Sequence, residues 1–267
     1  MKKALLIGIN YIGSQNQLNG CVNDINNIQN FLINNCGYTS NNITILTNAN
    51  ATDANMQNAI INLTNGCNAG DTLFFYYSGH GANVPGTTGE ALDDAIIPND
   101  YLTGGFITDD WLYTNLCLKV PKGVSLWAFT DCCHSGTMFD LKYNWQYNPS
   151  YTGKGAYNGI QYNTNDWSNN FNVSILPSSK DTQGDVYLFS GCQDEQTSAD
   201  TYVNNQSQGA FTFCLLQFIQ NNKTTYNTKT IGDMLKEIDC RLQINGYSQH
   251  SQLSVGNIHD MNNHFNP

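Results

Sequence analysis

The sequence predicts an α/β fold with a mostly parallel central sheet flanked by helices on both faces. Short apolar runs alternate with helix-like segments along the chain. The runs, such as ALLIGI and LFFYY, are apolar at consecutive positions, as strands buried on both faces are. No internal repeat is present, so a single domain is the simplest organisation for 267 residues.

The elements follow one another in a regular order. KALLIGI is a strand, NDINNIQNFLINN a helix, ITILT a strand, and TDANMQNAIINLTN a helix with Thr52 or Asp53 at its N-cap. TLFFYYS is the next strand, followed after a Gly-rich loop by AIIP, a short helix TDDWLYTNL and the apolar strand VSLWAFT. The later elements are the strand VYLFSGC, the helices AFTFCLLQFIQNN and IGDMLKEIDCRLQI, and a last strand LSVG.

Residues 140–184 interrupt this order, because they are rich in Tyr, Asn, Ser and Gly and show little periodicity. A structureless loop of about 45 residues is unusual inside a compact domain, and such loops are normally functional or disordered. We therefore interpret residues 1–267 as one domain made of a larger part, about 1–140, a linker, 141–184, and a smaller part, 185–267.

The composition narrows the class of partner. The net charge of −10 argues against nucleic acid, whose phosphates need clustered Lys and Arg, and favours cationic partners such as metal ions or basic peptides. The apolar run of MKKALLIGIN ends at Asn10 without a signal-peptide cleavage site. No stretch approaches the roughly 18 apolar residues of a membrane span. Nine cysteines without a CxxC pair favour reduced thiols and a cytoplasmic location.

Candidate chemistry lies where two strands end, in TLFFYYSGHG and in VSLWAFTDCCHSG. Reactive groups gather at the carboxyl ends of strands in open parallel sheets. Because side chains alternate along a strand, Asp131 and Cys133 share one side, and Ser78 and His80 share a side of the other strand. If the two strand ends are neighbours, His80 faces Cys133, whereas His134 points away from that thiol.

A thiol and an imidazole in this arrangement can cleave an acyl bond. The thiolate is the nucleophile, and His80 can take the proton of Cys133 and return one to a leaving amine. Gly79 and Gly81 let the backbone approach closely, so N–H groups here and at Cys133 can serve an oxyanion. A zinc site in DCCH is the weaker interpretation, since adjacent side chains diverge and no second ligand pair has suitable spacing.

With these residues placed, the sequence resembles the metacaspases, caspase-like cysteine peptidases of plants, protists, fungi and bacteria. Segments carrying the resemblance occur in the family's order through most of the chain: KALLIGINY, LNGCVND, FFYYSGHG, LDDAIIPND, ITDDWL, DCCHSG, SGCQDEQTSAD and GAFT. The resemblance implies a caspase-like fold, with His80 as general base, Cys133 as nucleophile, and the N–H groups of Gly81 and Cys133 as the oxyanion hole. It also implies a junction between large and small catalytic portions at the linker, and a monomer. The long N-terminal prodomain of some relatives is not expected here.

The resemblance further implies an acidic pocket that selects Lys or Arg before the scissile bond, with Cys21, Asp24, Ser78 and Asp131 as the matching residues. From the residues alone, the Asp131 carboxylate shares a face with Cys133, so it can pair with a substrate cation or instead accept local backbone N–H groups. Caspases use arginines to bind aspartate. A chain whose one arginine is Arg241 cannot build a two-arginine pocket, so aspartate specificity is poorly supported.

Four aspartates match the calcium-binding residues of metacaspase relatives: Asp93, Asp109, Asp110 and Asp140. A hard cation prefers several oxygen ligands, and carboxylates from separate loops suit Ca²⁺ better than Mg²⁺. Asp140 lies seven residues past Cys133, so calcium is expected to order the nucleophile loop and activate the enzyme. The alternative is that Asp109 and Asp110 are only favourable acids at a helix N-terminus.

Self-processing is a further hypothesis. Lys142, Lys154 and Lys180 are the basic residues of the linker, and Lys180 is the favoured cleavage site because SSKDTQGD precedes the return of ordered structure. The leading prediction is thus a cysteine endopeptidase for proteins or peptides with Lys or Arg before the scissile bond. Two alternatives stay open: a catalytically silent caspase-like scaffold, and a flavodoxin-like or nucleotide-binding protein. The chain has no GxGxxG or GxxxxGK[ST] loop, so no organic cofactor is expected.

Overall fold

The computed structural model describes most of the chain, namely residues 1–86, 91–133, 135–147, 156–157, 160–161, 171–175, 181–192, 200–203, 206–257 and 263–267. The strands in these residues are β1 (Lys2–Gly8), β2 (Ile43–Thr47), β3 (Thr72–Ser78), β4 (Gly81–Pro85), β5 (Leu92–Ile96), β6 (Ile107–Thr108), β7 (Ser125–Asp131), β8 (Tyr143–Tyr147), β9 (Ala156–Tyr157), β10 (Ile160–Gln161), β11 (Phe171–Ile175), β12 (Asp185–Ser190), β13 (Asp200–Val203), β14 (Gln206–Gly209) and β15 (Gln252–Val255). The helices are α1 (Cys21–Asn35), α2 (Asp53–Thr64), α3 (Tyr101–Gly104), α4 (Asp109–Asn115), α5 (Ala210–Asn221) and α6 (Ile231–Ile244).

Eight strands form one central sheet in the order β11-β8-β15-β12-β7-β3-β1-β2. The five strands from β12 to β2 are parallel, and β15, β8 and β11 continue the sheet antiparallel to their neighbours. The predicted mostly parallel sheet is therefore confirmed. The AIIP run does not join the central sheet. Its strand, β5, pairs with β4 and β6 in a separate, small antiparallel sheet.

Helices cover both faces of the sheet, as the apolar strand runs predict. Even-numbered residues of β3, such as Phe74 and Tyr76, pack in one core with α1, α5 and α6. Odd-numbered residues, such as Phe75 and Tyr77, pack in a second core with α2 and α4. All four of these aromatic side chains are essentially inaccessible to solvent. Strands apolar on both faces thus form the middle layer of three, and burial of this apolar area is the main stabilising term.

Side-chain caps define where several helices begin. The Thr52 hydroxyl accepts a hydrogen bond from Asn55 N at 3.3 Å, which confirms Thr52 as the N-cap of α2. Thr108 caps α4 through Trp111 N, also at 3.3 Å. None of the helices within the described ranges combines the length and the apolarity that a membrane crossing requires.

The expectation of a structureless loop in residues 140–184 is wrong, because four strands, β8, β9, β10 and β11, lie inside it. β8 and β11 lie inside residues 140–184 and extend the central sheet beyond β15, with Trp145 opposite Leu253 in the register. Both of these side chains are buried. The apolar positions of YNWQY and FNVSI alternate with polar ones, and the surrounding Asn- and Tyr-rich composition masked that period-2 pattern. Lys154 and Lys180 lie outside the described residues.

Candidate active site

The two chemistry-bearing strand ends are neighbours. β3 and β7 pair in parallel, with Ser78 opposite Asp131. Gly79 N donates to the Asp131 carbonyl at 3.4 Å, so the two backbones stay adjacent at the strand tips, just before His80 on one strand and Cys132 and Cys133 on the other. Backbone contact continues beyond the sheet: a Cβ atom at Gly81 would lie 2.0 Å from the Cys133 carbonyl oxygen. Only glycine fits there, so the main chain of residue 81 approaches the Cys133 carbonyl closely, as the sequence predicts.

Alternation along β7 separates the two cysteines of DCC. Cys132 is buried in the core beneath α2 and α4, with the side chain of Tyr77. Asp131 lies on the opposite face, where its carboxylate meets the first turn of α5 through Thr212. Cys133 is half-buried beyond the end of the strand. His134, the other histidine considered, lies outside the described residues.

The imidazole of His80 has a defined tautomer. His80 Nε2 lies 2.6 Å from the Asn16 carbonyl oxygen. A carbonyl oxygen only accepts hydrogen bonds, so Nε2 carries the ring proton and Nδ1 is the nitrogen with a free lone pair. Sequence reasoning missed Asn16, since a backbone acceptor leaves no trace in residue type. A neutral imidazole with a basic Nδ1 is the form that can accept a proton from a thiol.

The four predicted pocket residues lie together beneath the strand tips. Asp24, on the first turn of α1, is fully buried and accepts hydrogen bonds from Ser78 Oγ at 2.9 Å and from Gly209 N at 3.1 Å. Cys21 is the buried first residue of the same helix. Asp131 lies on the neighbouring strand tip and is also buried. The structure therefore brings Cys21, Asp24, Ser78 and Asp131 to one region.

Asp131 has a structural role in this region. Its Oδ2 atom accepts from Thr212 N at 2.9 Å and from Thr212 Oγ1 at 2.7 Å, which ties the start of α5 to β7. The Thr212 hydroxyl also lies 2.5 Å from Tyr76 Oη. Burial raises the pKa of the Tyr76 hydroxyl, and the nearby Asp24 and Asp131 carboxylates raise it further. The backbone-anchoring role weighed in the sequence analysis is present, and both bonds end on a single carboxylate oxygen.

A second acidic group lies on the other face of the sheet. The carboxylate oxygens of Asp93, Asp109 and Asp110 come within 4.8 Å of one another, and we call these three residues the acid cluster. Burial raises the pKa of Asp109 to about 7, and the charges of Asp140 and Asp94 add to the shift against the hydrogen bonds from Asp94 N and Asp110 N. Three crowded carboxylates, one of them strongly destabilised as an anion, fit a hard divalent cation.

Asp140 lies near the acid cluster without belonging to it. Asp140 is buried and close enough to affect Asp109, but its carboxylate is outside the acid cluster. Asp109 and Asp110 are also the first two residues of α4, so the helix-dipole interpretation applies to them as well.

Asp94 is a residue that sequence reasoning missed. Its carboxylate accepts from Thr137 Oγ1 at 2.6 Å and from Asn83 Nδ2 at 2.6 Å. Thr137 lies four residues past Cys133, so this bond fastens the nucleophile loop to β5. The available signal was the second carboxylate of LDDA, which alternation places on a different side from Asp93.

The nucleophile loop is also fastened to β12. The Cys192 thiol donates to the Cys132 carbonyl at 3.0 Å, and Ser190 Oγ donates to the Ser135 carbonyl at 2.6 Å. None of the nine cysteines, each within the described residues, forms a disulfide. Burial raises the pKa of Cys36 to about 11 and those of Cys192 and Cys214 to about 12, so these thiols stay protonated.

The α/β fold, with a histidine and a cysteine at adjoining strand tips, is that of the caspase-like cysteine peptidases. The model of the "Metacaspase, peptidase C14 domain" matches residues 2–142. Metacaspase-1 of Saccharomyces cerevisiae (strain YJM789) is 34% identical over 300 residues, covering 99% of this chain and 68% of the yeast protein. Metacaspase-1 of Cryptococcus neoformans var. neoformans serotype D is 34% identical over 296 residues, covering 98% of this chain and 64% of that protein. The chain therefore belongs to the metacaspase family, and it is a cysteine-type endopeptidase whose substrates are proteins.

Solved structures agree on the fold. Protein GSU0716 from Geobacter sulfurreducens superposes with a TM-score of 0.67 at 22% identity, covering 99% of this chain and 98% of that chain. Caspase-1 from Spodoptera frugiperda superposes with a TM-score of 0.51 at 10% identity, covering 95% of this chain and 85% of that chain. At such identities the likeness is one of fold, and it confirms the predicted caspase-like architecture.

Proposed function

We propose that this metacaspase cleaves peptide bonds after Lys or Arg through a Cys133–His80 dyad. The observation that carries the proposal is the β3–β7 register, which sends His80 and Cys133 off adjacent strand tips with Gly81 in contact with the Cys133 carbonyl. The tautomer of His80 supports the same roles, because its Nε2 proton is held by the Asn16 carbonyl.

The reaction proceeds in two stages. His80 Nδ1 takes the proton of the Cys133 thiol, and the thiolate attacks the scissile carbonyl carbon to form a tetrahedral oxyanion. When the oxyanion collapses, the C–N bond breaks, and the imidazolium gives its proton to the leaving amine, leaving a thioester on Cys133. His80 then deprotonates a water molecule, which attacks the thioester and releases the acid and the thiol.

The oxyanion would be stabilised by the N–H groups of Gly81 and Cys133. Their backbones are in contact, which is the arrangement that lets two amides converge on one oxygen. Removal of a single donor of this kind typically costs a hundredfold or more in kcat. A Gly81→Ala substitution would push the two strand tips apart, since its Cβ would overlap the Cys133 carbonyl.

Selectivity for a basic residue is supported by the two buried carboxylates beneath the dyad, Asp24 and Asp131. A substrate ammonium or guanidinium group that reaches them gains charge-assisted hydrogen bonds in a low-dielectric region. Cys21 and Ser78 line the same region. An aspartate side chain entering there would meet like charge.

We also propose that Ca²⁺ regulates the enzyme. The residues that would hold the ion are Asp93, Asp109 and Asp110, with Asp140 nearby. The bound ion would supply positive charge that offsets their mutual repulsion. Asp140 is on the nucleophile loop, which Thr137 already fastens to Asp94, so order at the acid cluster is coupled to order around Cys133. Equal peptidase rates with Ca²⁺, Mg²⁺ and chelator would remove the regulatory proposal.

Self-processing in the linker is part of the proposal, with Lys180 favoured over Lys142. Lys142 pairs with Asp181 at 2.7 Å and directly precedes β8, whose first residue, Tyr143, is buried in the sheet. A protease needs an extended, accessible segment, so cleavage after Lys142 would require part of the sheet to open. New N-termini from purified enzyme, compared with Lys142→Ala, Lys154→Ala and Lys180→Ala variants, identify the site; an intact chain in an active sample contradicts self-processing.

A monomeric state is proposed from the likeness to the metacaspases; β8 and β11 cover the edge of β15, so that β11 and β2 are the edge strands of the central sheet. Light scattering of the eluted protein measures this directly. A cytoplasmic location is proposed from the nine free thiols.

The experiment that tests the main proposal is a fluorogenic panel with Arg, Lys or Asp before the scissile bond. We expect hydrolysis of the Arg and Lys substrates, and loss of at least a thousandfold in Cys133→Ala and His80→Ala. Cys67→Ala and His264→Ala serve as matched controls. Cys67 is partly exposed, His264 is exposed, and both lie away from the strand tips. Failure of a basic peptidyl chloromethylketone to label Cys133 would instead favour a catalytically silent scaffold.

A further inference from the structure

We propose that Tyr11 is a positioning residue for the catalytic base, its hydroxyl and ring together fixing the place of His80. The inference rests on the proposed function only in taking His80 as the base. Tyr11 follows β1, in the loop that precedes α1, and its side chain is buried beside the β3 tip.

The Tyr11 hydroxyl holds the main chain of His80. It accepts a hydrogen bond from His80 N at 3.0 Å and donates to the Ile97 carbonyl at 2.6 Å. A second buried hydroxyl, that of Tyr77, lies 3.0 Å from the first and donates to the His80 carbonyl at 2.6 Å. Tyrosine hydroxyls thus bond both polar groups of the His80 backbone, and the His80 carbonyl also accepts from Ile97 N at 3.2 Å, next to the β4–β5 pair.

The Tyr11 ring holds the imidazole as well. The two ring centroids are 4.6 Å apart with an interplanar angle of 36°. The same loop supplies the Asn16 carbonyl that lies 2.6 Å from His80 Nε2. Within the loop, Ser14 N donates to the Tyr11 carbonyl at 3.0 Å, so the ring and the carbonyl belong to one hydrogen-bonded unit. Rotation of the imidazole away from Cys133 would therefore break contacts on two sides.

The backbone of Tyr11 has an unusual conformation for a tyrosine. Its φ angle is +49°, a left-handed conformation that is uncommon for a bulky residue. Strained backbone of this kind clusters at functional sites. Glycine or asparagine would adopt the conformation more readily, but neither would supply the hydroxyl that reaches His80 N. The main chain at Gly79 is also closely packed, since a Cβ there would lie 2.6 Å from Tyr77 Oη and 3.0 Å from Tyr11 Oη.

Both hydroxyls are protonated donors at the pH of catalysis. Burial raises the pKa of Tyr11 and of Tyr77 well above the usual tyrosine range. The shortest contacts then assign the two protons: Tyr77 donates to the His80 carbonyl, and Tyr11 donates to the Ile97 carbonyl while it accepts from His80 N. Loss of the Tyr11 hydroxyl leaves His80 N without this acceptor while the ring stays in place.

The test compares Tyr11→Phe and Tyr77→Phe with Tyr226→Phe in the full chain. Tyr226 is the matched control, because its buried hydroxyl donates to the Asn35 carbonyl at 2.9 Å in a region away from the dyad. Rates are normalised to sites titrated with a basic peptidyl chloromethylketone, so only folded enzyme is counted. The second readout, iodoacetamide alkylation of Cys133 followed by mass spectrometry across pH, needs no peptide substrate.

We expect Tyr11→Phe to lower kcat about tenfold and to leave KM within about twofold of wild type. The midpoint pH of Cys133 alkylation should rise by about half a unit, because a misplaced imidazole takes the thiol proton less readily. Tyr77→Phe should change the same quantities in the same direction, so the proposal can be tested even if Tyr11→Phe folds poorly. Tyr226→Phe should change neither. Wild-type kcat and alkylation in a folded Tyr11→Phe variant would overturn the proposal and leave Tyr11 a purely structural role.

Failure of the proposed function gives a different result. If His80→Ala retained wild-type hydrolysis, or if the wild type cleaved neither Arg nor Lys substrates, the assigned reaction would fail. The alkylation midpoints of wild type and Tyr11→Phe would still decide whether Tyr11 positions the imidazole against Cys133: a shift supports the inference, and identical midpoints overturn it.

Discussion

Two groups of largely buried aspartates lie on opposite faces of the central sheet, and the protein stabilises them in different ways. Asp24 and Asp131, on the α1/α5 face, accept hydrogen bonds from Ser78, Gly209 and Thr212. On the other face, the acid cluster of Asp93, Asp109 and Asp110 brings three carboxylates within 4.8 Å of one another. Burial and neighbouring charges raise the pKa of Asp109 to about 7.

The difference fits the two purposes proposed for aspartates in this protein, binding a substrate cation and binding a metal ion. Neutral N–H and O–H donors can stabilise a buried carboxylate while leaving its negative charge available to a visiting cation. A carboxylate whose anion burial destabilises, such as that of Asp109, is stabilised best by a cation that stays bound. We expect the first group to respond to the substrate and the second to the metal, and each prediction below tests that division.

The largest effect is expected for Asp131→Asn. The Thr212 hydrogen bonds both end on Oδ2, so an asparagine carbonyl can keep them while the negative charge is lost. We expect kcat/KM for Arg and Lys substrates to fall at least a hundredfold, since a charged partner beneath the scissile bond disappears. Steady-state kinetics with the fluorogenic panel measures this. An unchanged kcat/KM would show that Asp131 is purely structural and would break the comparison.

The next effect concerns the metal. If Ca²⁺ binds the acid cluster, a hundredfold excess over Kd stabilises the fold by about 2.7 kcal/mol and raises Tm by about 5 °C. Asp109→Asn should abolish that shift, while Asp131→Asn should retain it. Thermal melts with Ca²⁺, Mg²⁺ and chelator provide the measurement. A calcium shift that survives Asp109→Asn would place the ion elsewhere.

A smaller effect is expected for Thr212→Val, which removes one of the two Thr212 donors to Asp131 and keeps the backbone N–H. We expect KM for basic substrates to rise about fivefold with kcat little changed, because the loss of one hydrogen bond is worth about 1 kcal/mol. Thr212→Ser restores the hydroxyl and should restore KM. Equal KM values in the valine and serine variants would contradict the assignment.

The smallest effect is expected away from both groups. Asp233 belongs to the exposed capping box of α6, where its carboxylate accepts a hydrogen bond from Thr230 N. Asp233→Asn should cost about 0.5 to 1 kcal/mol of unfolding free energy, with kcat/KM and the calcium shift unchanged. Urea denaturation measures the first quantity. A loss of activity here would indicate that net charge, rather than either aspartate group, controls the enzyme.

The sequence was sufficient for the parts of the site that depend on alternation and strand order. The apolar runs predicted β3 and β7, and the two-residue period placed Asp131 and Cys132 on opposite faces, as the structure has them. Residue type and motif order then led to the family. These features are local, so they can be read from neighbouring residues.

Long-range backbone contacts could not be predicted. The Asn16 carbonyl reaches His80 across 64 positions of sequence, and a carbonyl is present at every residue. Thr212 reaches Asp131 across 81 positions, and nothing in GAFT distinguishes its hydroxyl from others. β8 and β11 were missed because a central sheet supplied the partner that weak alternating segments lack by themselves. Tertiary packing decides each of these.

The burial of the other thiols has a practical consequence. A protein with nine free cysteines invites indiscriminate modification, yet burial raises the pKa of Cys36, Cys132, Cys192 and Cys214 and removes their side chains from solvent. An electrophile in the medium meets chiefly unreactive neutral sulfur there. The fold thus confines a soft alkylating warhead to the three partly exposed thiols, Cys67, Cys133 and Cys240, so that mapping the label among three sulfur atoms is enough in this cysteine-rich chain.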